Sequence, residues 1–180
     1  MPLRADAQRN LTRVLDAAAE AFAERGPDAS VDEIARRAGV GHATVFRRFP
    51  TKNDLIAAVA LDRIRGLTAE AQAALENPDA AAGFLAFMWR AAELHATSGR
   101  LHECFGTCIE KPEHTELTSL ASQLVERAQA AGAVRKDVTA ADIEAMFGAV
   151  LRSAPPGQWR RYVEVVLDGL RPAKSELSST

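Results

Sequence analysis

The sequence predicts an all-α protein of about nine helices. Apolar residues recur at the i, i+3, i+4, i+7 spacing of amphipathic helices over most of the 180 residues. Capping residues and Gly or Pro breaks separate these stripes at intervals that suit helices. No stretch alternates apolar and polar residues in the manner of a half-buried strand. Together these observations predict a three-helix N-terminal domain followed by a larger helical bundle.

The composition is that of an ordinary globular chain. Hydrophobic residues make up 47% and charged residues 26%, which argues against extended disorder. No apolar run approaches the roughly 18 residues that a membrane span needs, and the N-terminus lacks the pattern of a secretory signal. Two cysteines do not make a disulfide framework. We therefore expect a cytoplasmic protein without membrane contact.

The first three helices are predicted within residues 1–52. The first helix ends at Gly26–Pro27, and Ser30 with Glu33 forms a capping box at the start of the second, in which each side chain bonds the other's backbone N–H. Gly39 ends the second helix, and the third runs from about His42 to Phe49. The apolar stripe of the first helix consists of Leu11, Val14, Leu15, Ala18 and Phe22.

Six further helices are predicted between residue 52 and residue 172. Thr51 and Thr139, each followed three residues later by Asp, cap two of them. The fifth helix is apolar on most sides, which is typical of a helix inside a bundle. The apolar segments cover about residues 55–67, 79–97, 101–109, 117–128, 143–151 and 159–170.

Residues 31–49 have the spacing of a helix-turn-helix. Two steeply crossed helices need a small residue where they meet, here Ala35, and a glycine with positive φ in the turn, here Gly39. Val45 supplies the apolar side chain that holds the second helix against the core. Such a helix lies in the major groove of DNA. Two ordinary helices joined by a Gly turn would share this spacing. Whether the motif binds DNA must therefore be judged from the residues around it.

The context is a strongly uneven charge distribution. Residues 1–52 hold nine Lys/Arg and seven Asp/Glu, whereas residues 53–180 hold thirteen and seventeen. Phosphate attraction is local because salt screens it over about 10 Å, so a basic face can bind DNA although the net charge is −2. Residues 34–53 contain no acid and five bases, namely Arg36, Arg37, Arg47, Arg48 and Lys52.

Residues 31–61, VDEIARRAGVGHATVFRRFPTKNDLIAAVAL, resemble the TetR family of bacterial transcriptional regulators. The resemblance covers about residues 8–60, and residues 39–52 carry nearly all of the family's signature. It implies a repressor that binds a palindromic double-stranded DNA operator as a homodimer and is released by a small-molecule inducer. It also implies a helix-turn-helix DNA-binding domain over residues 1–52, a ligand-binding and dimerisation domain over residues 53–172, and a flexible tail over residues 173–180.

The resemblance assigns the DNA contacts residue by residue. Phe46 stands where the family often has a phosphate-binding Tyr, so without the hydroxyl it would pack on sugar only. Gly41 replaces a common Ser, which removes a second phosphate bond, and Lys52 would contact phosphate beside a helix N-terminus. The assigned residues are Gly41, His42, Ala43, Thr44, Phe46, Arg47, Arg48 and Lys52.

Two more sites are predicted in residues 53–172. The fifth helix and the segment after it concentrate large apolar residues with a few polar groups, which suits a pocket for a mostly apolar ligand. The pocket residues are Phe84, Phe87, Met88, Trp89, His95, His102, Cys104 and Phe105. The last two helices stand where the family forms its dimer, although their stripes could instead pack within one monomer. The interface residues are Phe147, Val150, Leu151, Trp159, Tyr162, Val163 and Val166.

Two other functions stay open. Cys104 and Cys108 are one helical turn apart, and with His102 or His114 they could bind Zn²⁺ or sense oxidants, although the spacing is not that of a common zinc site. A Cys–His pair could also serve a helical enzyme. The sequence has no nucleophile elbow, Gly-rich phosphate loop or paired-carboxylate motif. We therefore expect no catalytic site, no cofactor and no metal.

Overall fold

The computed structural model describes residues 2–98, 112–155 and 157–173. Within these ranges it contains eight α-helices, one short 3-10 helix and no strand, which confirms the predicted all-α class. The predicted helix over Leu101 to Ile109 lies outside the described residues. No helix in the described part is both long enough and apolar enough to cross a bilayer.

The helices are numbered here in chain order. They are α1 (Pro2–Arg25), α2 (Val31–Ala38), α3 (His42–Arg48), α4 (Lys52–Glu76), α5 (Ala80–Thr97), α6 (Pro112–Ala130), α7 (Ala140–Ser153) and α8 (Trp159–Gly169). The described residues form two compact units, of which unit 1 comprises residues 2–65 and 97–98 and unit 2 comprises residues 66–96, 112–155 and 157–173. The predicted domain boundary after residue 52 follows the end of the helix-turn-helix, whereas the two units are defined by how the residues pack. That boundary therefore stays a prediction.

The core of unit 1 is formed by α1, α2, α3 and the first half of α4. Phe22, Ile34 and Leu55 are completely buried in it, and Val45 is the buried residue of α3. Each such side chain stabilises the fold by roughly 1.5–3 kcal/mol relative to an exposed position. Because α4 contributes Leu55, Ile56 and Val59 to this core, its first turns are held against the helix-turn-helix.

The turn between α2 and α3 depends on Gly39. Its φ is +63°, the left-handed region, and its N–H caps α2 by donating to the carbonyls of Ala35 and Arg36. At the other end of α2, the Ser30 hydroxyl accepts the Glu33 N–H at 3.1 Å. The predicted return bond, in which the Ser30 N–H would donate to the Glu33 carboxylate, is not formed, because that carboxylate pairs with Arg25 and Arg37 instead. The start of α2 is thus capped on one side only.

Unit 2 contains a separate apolar core. It is formed by α5, α6, α7, α8 and the end of α4, with Leu124, Val134 and Val163 almost completely buried. The guanidinium of Arg127 donates to the carbonyls of Leu75, in the last turn of α4, and of Asn77 just after it. The predicted cap at Thr139 is confirmed as a full capping box with Asp142.

Candidate nucleic-acid interface and apolar cavity

Helix α3 presents most of its surface to solvent. Val45 is 1% exposed and is its one buried side chain, so it defines the inner face. Successive residues of an α-helix are about 100° apart, which places Ala43 and Arg47 directly opposite Val45. The remaining residues form two flanks, Thr44 with Arg48 on one side and His42 with Phe46 on the other. All six of these residues are exposed.

The first flank of α3 is cationic and lies beside α1. Thr44, Arg47 and Arg48 line a cleft together with α1 residues that include Gln8 and Asn10. Arg47 donates to the Thr44 hydroxyl at 3.4 Å. Within the described part of the chain, neither Arg47 nor Arg48 forms an ion pair. Both guanidinium groups can therefore bind phosphate oxygens or the acceptor edge of guanine.

The second flank of α3 is aromatic and lies beside α2. The ring centroids of His42 and Phe46 are 4.4 Å apart. The His42 Nε2 lies 2.8 Å from Oδ1 of Asp32, the second residue of α2. Asp32 could not be predicted as a partner of α3 from the sequence, because nothing in the local pattern shows which acid of α2 faces the next helix. Phe46 remains 39% exposed in this arrangement.

Two of the five bases in the acid-free stretch form hydrogen bonds with other residues of unit 1. Arg37 donates to both carboxylate oxygens of Glu24, at 3.0 and 2.6 Å, and to Glu33 at 2.6 Å. The hydrogen bond with Arg37 lowers the pKa of Glu24, and the two carboxylates raise the pKa of Arg37. The ammonium group of Lys52 donates to the carbonyl of Pro27. The basic face is therefore narrower than the sequence indicated.

Unit 2 contains a cavity of about 630 Å³ that is partly open to solvent. Four of the predicted pocket residues, Phe84, Phe87, Met88 and His95, line it. Trp89 is not among the lining residues and instead packs edge-on against Trp159, with ring centroids 6.3 Å apart. His102, Cys104 and Phe105 lie outside the described residues. Helices α6 and α7 contribute lining residues that were not predicted from the sequence, among them Leu117, Thr118, Ile143, Glu144 and Arg152.

The predicted dimer residues differ in how much surface they expose. Phe147, Leu151 and Val163 are buried in the core of unit 2, so they have little surface left for a second copy. Val150, Trp159 and Val166 are half-buried, and Tyr162 is 37% exposed. Two apolar residues that were not predicted, Met146 and Val165, are 38% and 65% exposed on the same two helices.

The hypothesis of metal or redox sensing has no support in the described residues. Among them, no group of three or more His, Cys, Asp or Glu side chains could hold a metal ion. His102, Cys104 and Cys108, on which that hypothesis depends, lie outside the described residues.

Two family profiles match the chain. The one described as "Bacterial regulatory proteins, tetR family" matches residues 14–59, which contain α2 and α3. The one described as "Transcriptional regulator SbtR-like, C-terminal domain" matches residues 87–172, which include most of unit 2.

Three known proteins that are similar to this chain are named as transcriptional regulators. The structure of a TetR transcription regulatory protein from Mycobacterium vanbaalenii aligns with a TM-score of 0.75 and 37% identity, over 95% of this chain and all of that one. That of a TetR transcriptional regulator from Streptomyces coelicolor aligns with a TM-score of 0.74 and 28% identity, over 90% and 98%. A helix-turn-helix transcriptional repressor from Mycobacterium tuberculosis is 53% identical over 47 residues, 26% of this chain and 25% of its own length.

Proposed function

Because the chain belongs to the TetR family of bacterial transcriptional regulators, we propose that it is a repressor. It binds a palindromic DNA operator as a homodimer and is released by a small, mostly apolar ligand. The proposal depends on one observation about α3, which Val45 holds in the core. This helix presents two arginines that are exposed and make no ion pair in the described structure. Since the similar proteins are regulators, we propose regulation rather than catalysis.

The DNA contact is proposed for the exposed surface of α3. Arg47 and Arg48 supply the charge that attracts phosphate, and either can read guanine. Gly41, His42, Ala43 and Thr44 belong to the part of α3 and its preceding turn that enters the groove. Lys52 contributes a phosphate contact only if its ammonium group leaves the Pro27 carbonyl. Bacterial DNA lies in the cytoplasm, so we propose that the protein acts there.

The inducer site is proposed for the cavity of unit 2. Its volume of about 630 Å³ lies within the range of small-molecule pockets. The lining is mostly apolar, and its polar side chains, among them His95, Glu144 and Arg152, would orient a ligand. A ligand there would bind chiefly by burying apolar surface, which explains why we expect an apolar inducer.

The dimer contact is proposed for the exposed apolar residues of α7 and α8. Met146, Tyr162 and Val165 present large side chains to solvent, which a second copy would cover. A palindromic operator also requires two reading helices related by a two-fold axis. Tyr162 is therefore the member of the predicted set that we expect to contribute most.

Binding to the DNA upstream of the protein's own gene tests this function. In fluorescence anisotropy, affinity should fall steeply between about 50 and 200 mM salt, because binding releases counterions. Arg47→Ala combined with Arg48→Ala should abolish binding and leave the thermal unfolding unchanged. The matched control, Lys136→Ala with Arg171→Ala, removes the same charge from unit 2 and should bind normally. Equal, salt-insensitive signals for all three proteins would contradict the proposal.

A further inference from the structure

Phe46 is an apolar side chain in an unusual place. The described residues include five large hydrophobic side chains that are exposed, and Phe46 is the one that belongs to unit 1. An exposed phenyl ring forgoes the stabilisation that burial would supply. Val45, its neighbour, already anchors α3 in the core at 1% exposure. Phe46 is therefore not needed to hold the helix in place.

The ring of Phe46 is held in a defined position. It packs on the His42 imidazole, one turn earlier, with centroids 4.4 Å apart and planes inclined by 45°. The imidazole in turn contacts the Asp32 carboxylate at 2.8 Å. Asp32 lies on α2, which Ile34 fixes in the core with no exposed surface. The aromatic flank is thus organised before any partner binds.

The chemistry of the flank limits what it can recognise. A phenyl ring has no hydrogen-bond donor or acceptor, so it cannot bind a phosphate oxygen or the polar edge of a base. The apolar group that a base presents in the major groove is the 5-methyl of thymine. Arg47, the next residue, is exposed and can hold this side of α3 close to the phosphates.

We propose that Phe46, positioned by His42, reads the 5-methyl group of one thymine in each half of the operator. This inference rests on the proposed DNA-binding function and adds a sequence preference to it. The contact buries one methyl group against an aromatic face, which corresponds to a change in affinity of about fourfold per half-site. Packing of the ring on a deoxyribose would give no such preference.

The test begins with a site selected by the protein itself. The full chain is used to enrich duplexes from a random double-stranded DNA pool, and each thymine of the enriched site is then replaced singly by deoxyuridine, which removes only the 5-methyl group. Wild type should lose about fourfold in affinity at one thymine per half-site. Phe46→Ala should bind the thymine and deoxyuridine duplexes equally, whereas Phe46→Tyr, which keeps the ring, should retain the wild-type ratio.

A matched control separates this effect from a general loss of apolar surface. Leu85 is 40% exposed, close to the value for Phe46, but lies in unit 2, so Leu85→Ala should keep the wild-type ratio at every thymine. Equal deoxyuridine ratios for wild type and Phe46→Ala overturn the proposal and leave DNA binding intact. Failure of wild type to enrich any duplex overturns the proposed function, and this inference with it.

Discussion

Gly83 tests whether the close approach of α5 to the end of α4 in unit 2 requires a glycine. It lies in the first turn of α5, where a Cβ would overlap the carbonyl oxygen of Ala74 and come within 3.2 Å of the Asn77 side chain. The obstacle is backbone at the end of α4, which cannot rotate away as a side chain could. Gly83→Ala therefore forces the start of α5 away from the end of α4.

The size of the effect follows from two opposing terms. Alanine is favoured over glycine in a helix by up to about 1 kcal/mol. Overpacking that displaces backbone costs about 1–3 kcal/mol and sometimes more. We expect a net destabilisation of up to about 2 kcal/mol, or up to roughly 8 °C in Tm for a chain of this size. Gly66 in α4 has nothing within 4 Å of its Cβ position, so Gly66→Ala should instead raise Tm by a few degrees.

Thermal unfolding followed by circular dichroism distinguishes the two variants, since the same substitution should shift Tm in opposite directions. A Gly83→Ala protein as stable as Gly66→Ala would refute the close approach of α4 and α5. DNA affinity provides a second readout that both variants should retain, because neither residue lies in unit 1.

Three further predictions concern acid stability, the cavity and the dimer. The hydrogen bonds from Thr139 lower the pKa of Asp142 below its ordinary 3.8. The ionised carboxylate therefore contributes fully to the free energy of unfolding above about pH 4, and this contribution is lost as the pH falls further. Urea unfolding at pH 7 and pH 3 should therefore show a smaller stability difference for Asp142→Asn than for wild type. Ala121→Trp should fill the cavity that Ala121 lines, and compounds that raise the Tm of wild type in a thermal-shift screen should then have no effect. Light scattering at micromolar concentration should give twice the monomer mass of 19.3 kDa for wild type and a value near 19.3 kDa for Val165→Glu, and a wild-type value near the monomer mass would contradict the dimer.

The helix-turn-helix could be predicted from the sequence because its determinants are local. Gly39 has the predicted positive φ, and Val45 is buried as its spacing required. The start of α2 was predicted less completely. Glu33 has the right position for a reciprocal cap, but its carboxylate pairs with Arg25 and with Arg37. The pair with Arg37 has the i, i+4 spacing of a salt bridge within α2, whereas the pair with Arg25 crosses from α1, and no sequence spacing reveals that second partner.

The apolar stripes of α7 and α8 also show that sequence spacing does not identify the partner of a side chain. The spacing of Phe147, Leu151 and Val163 correctly marks one face of each helix, yet it does not say whether that face meets the same chain or a second copy. The structure buries all three within unit 2 and leaves Met146 and Val165 exposed. Only the packed positions of the neighbouring helices separate the two cases.

The sequence by itself determined the all-α class, the family and the exposed face of α3, because each depends on residues within a few turns of one another. Tertiary structure decided which of the basic residues stay exposed, since Arg37 reaches Glu24 of α1 and Lys52 reaches Pro27 in the short 3-10 helix that follows α1. It also decided that α6 and α7 complete the cavity begun by α5. Contacts between residues far apart in the chain depend on how helices pack, and helical periodicity carries no information about that.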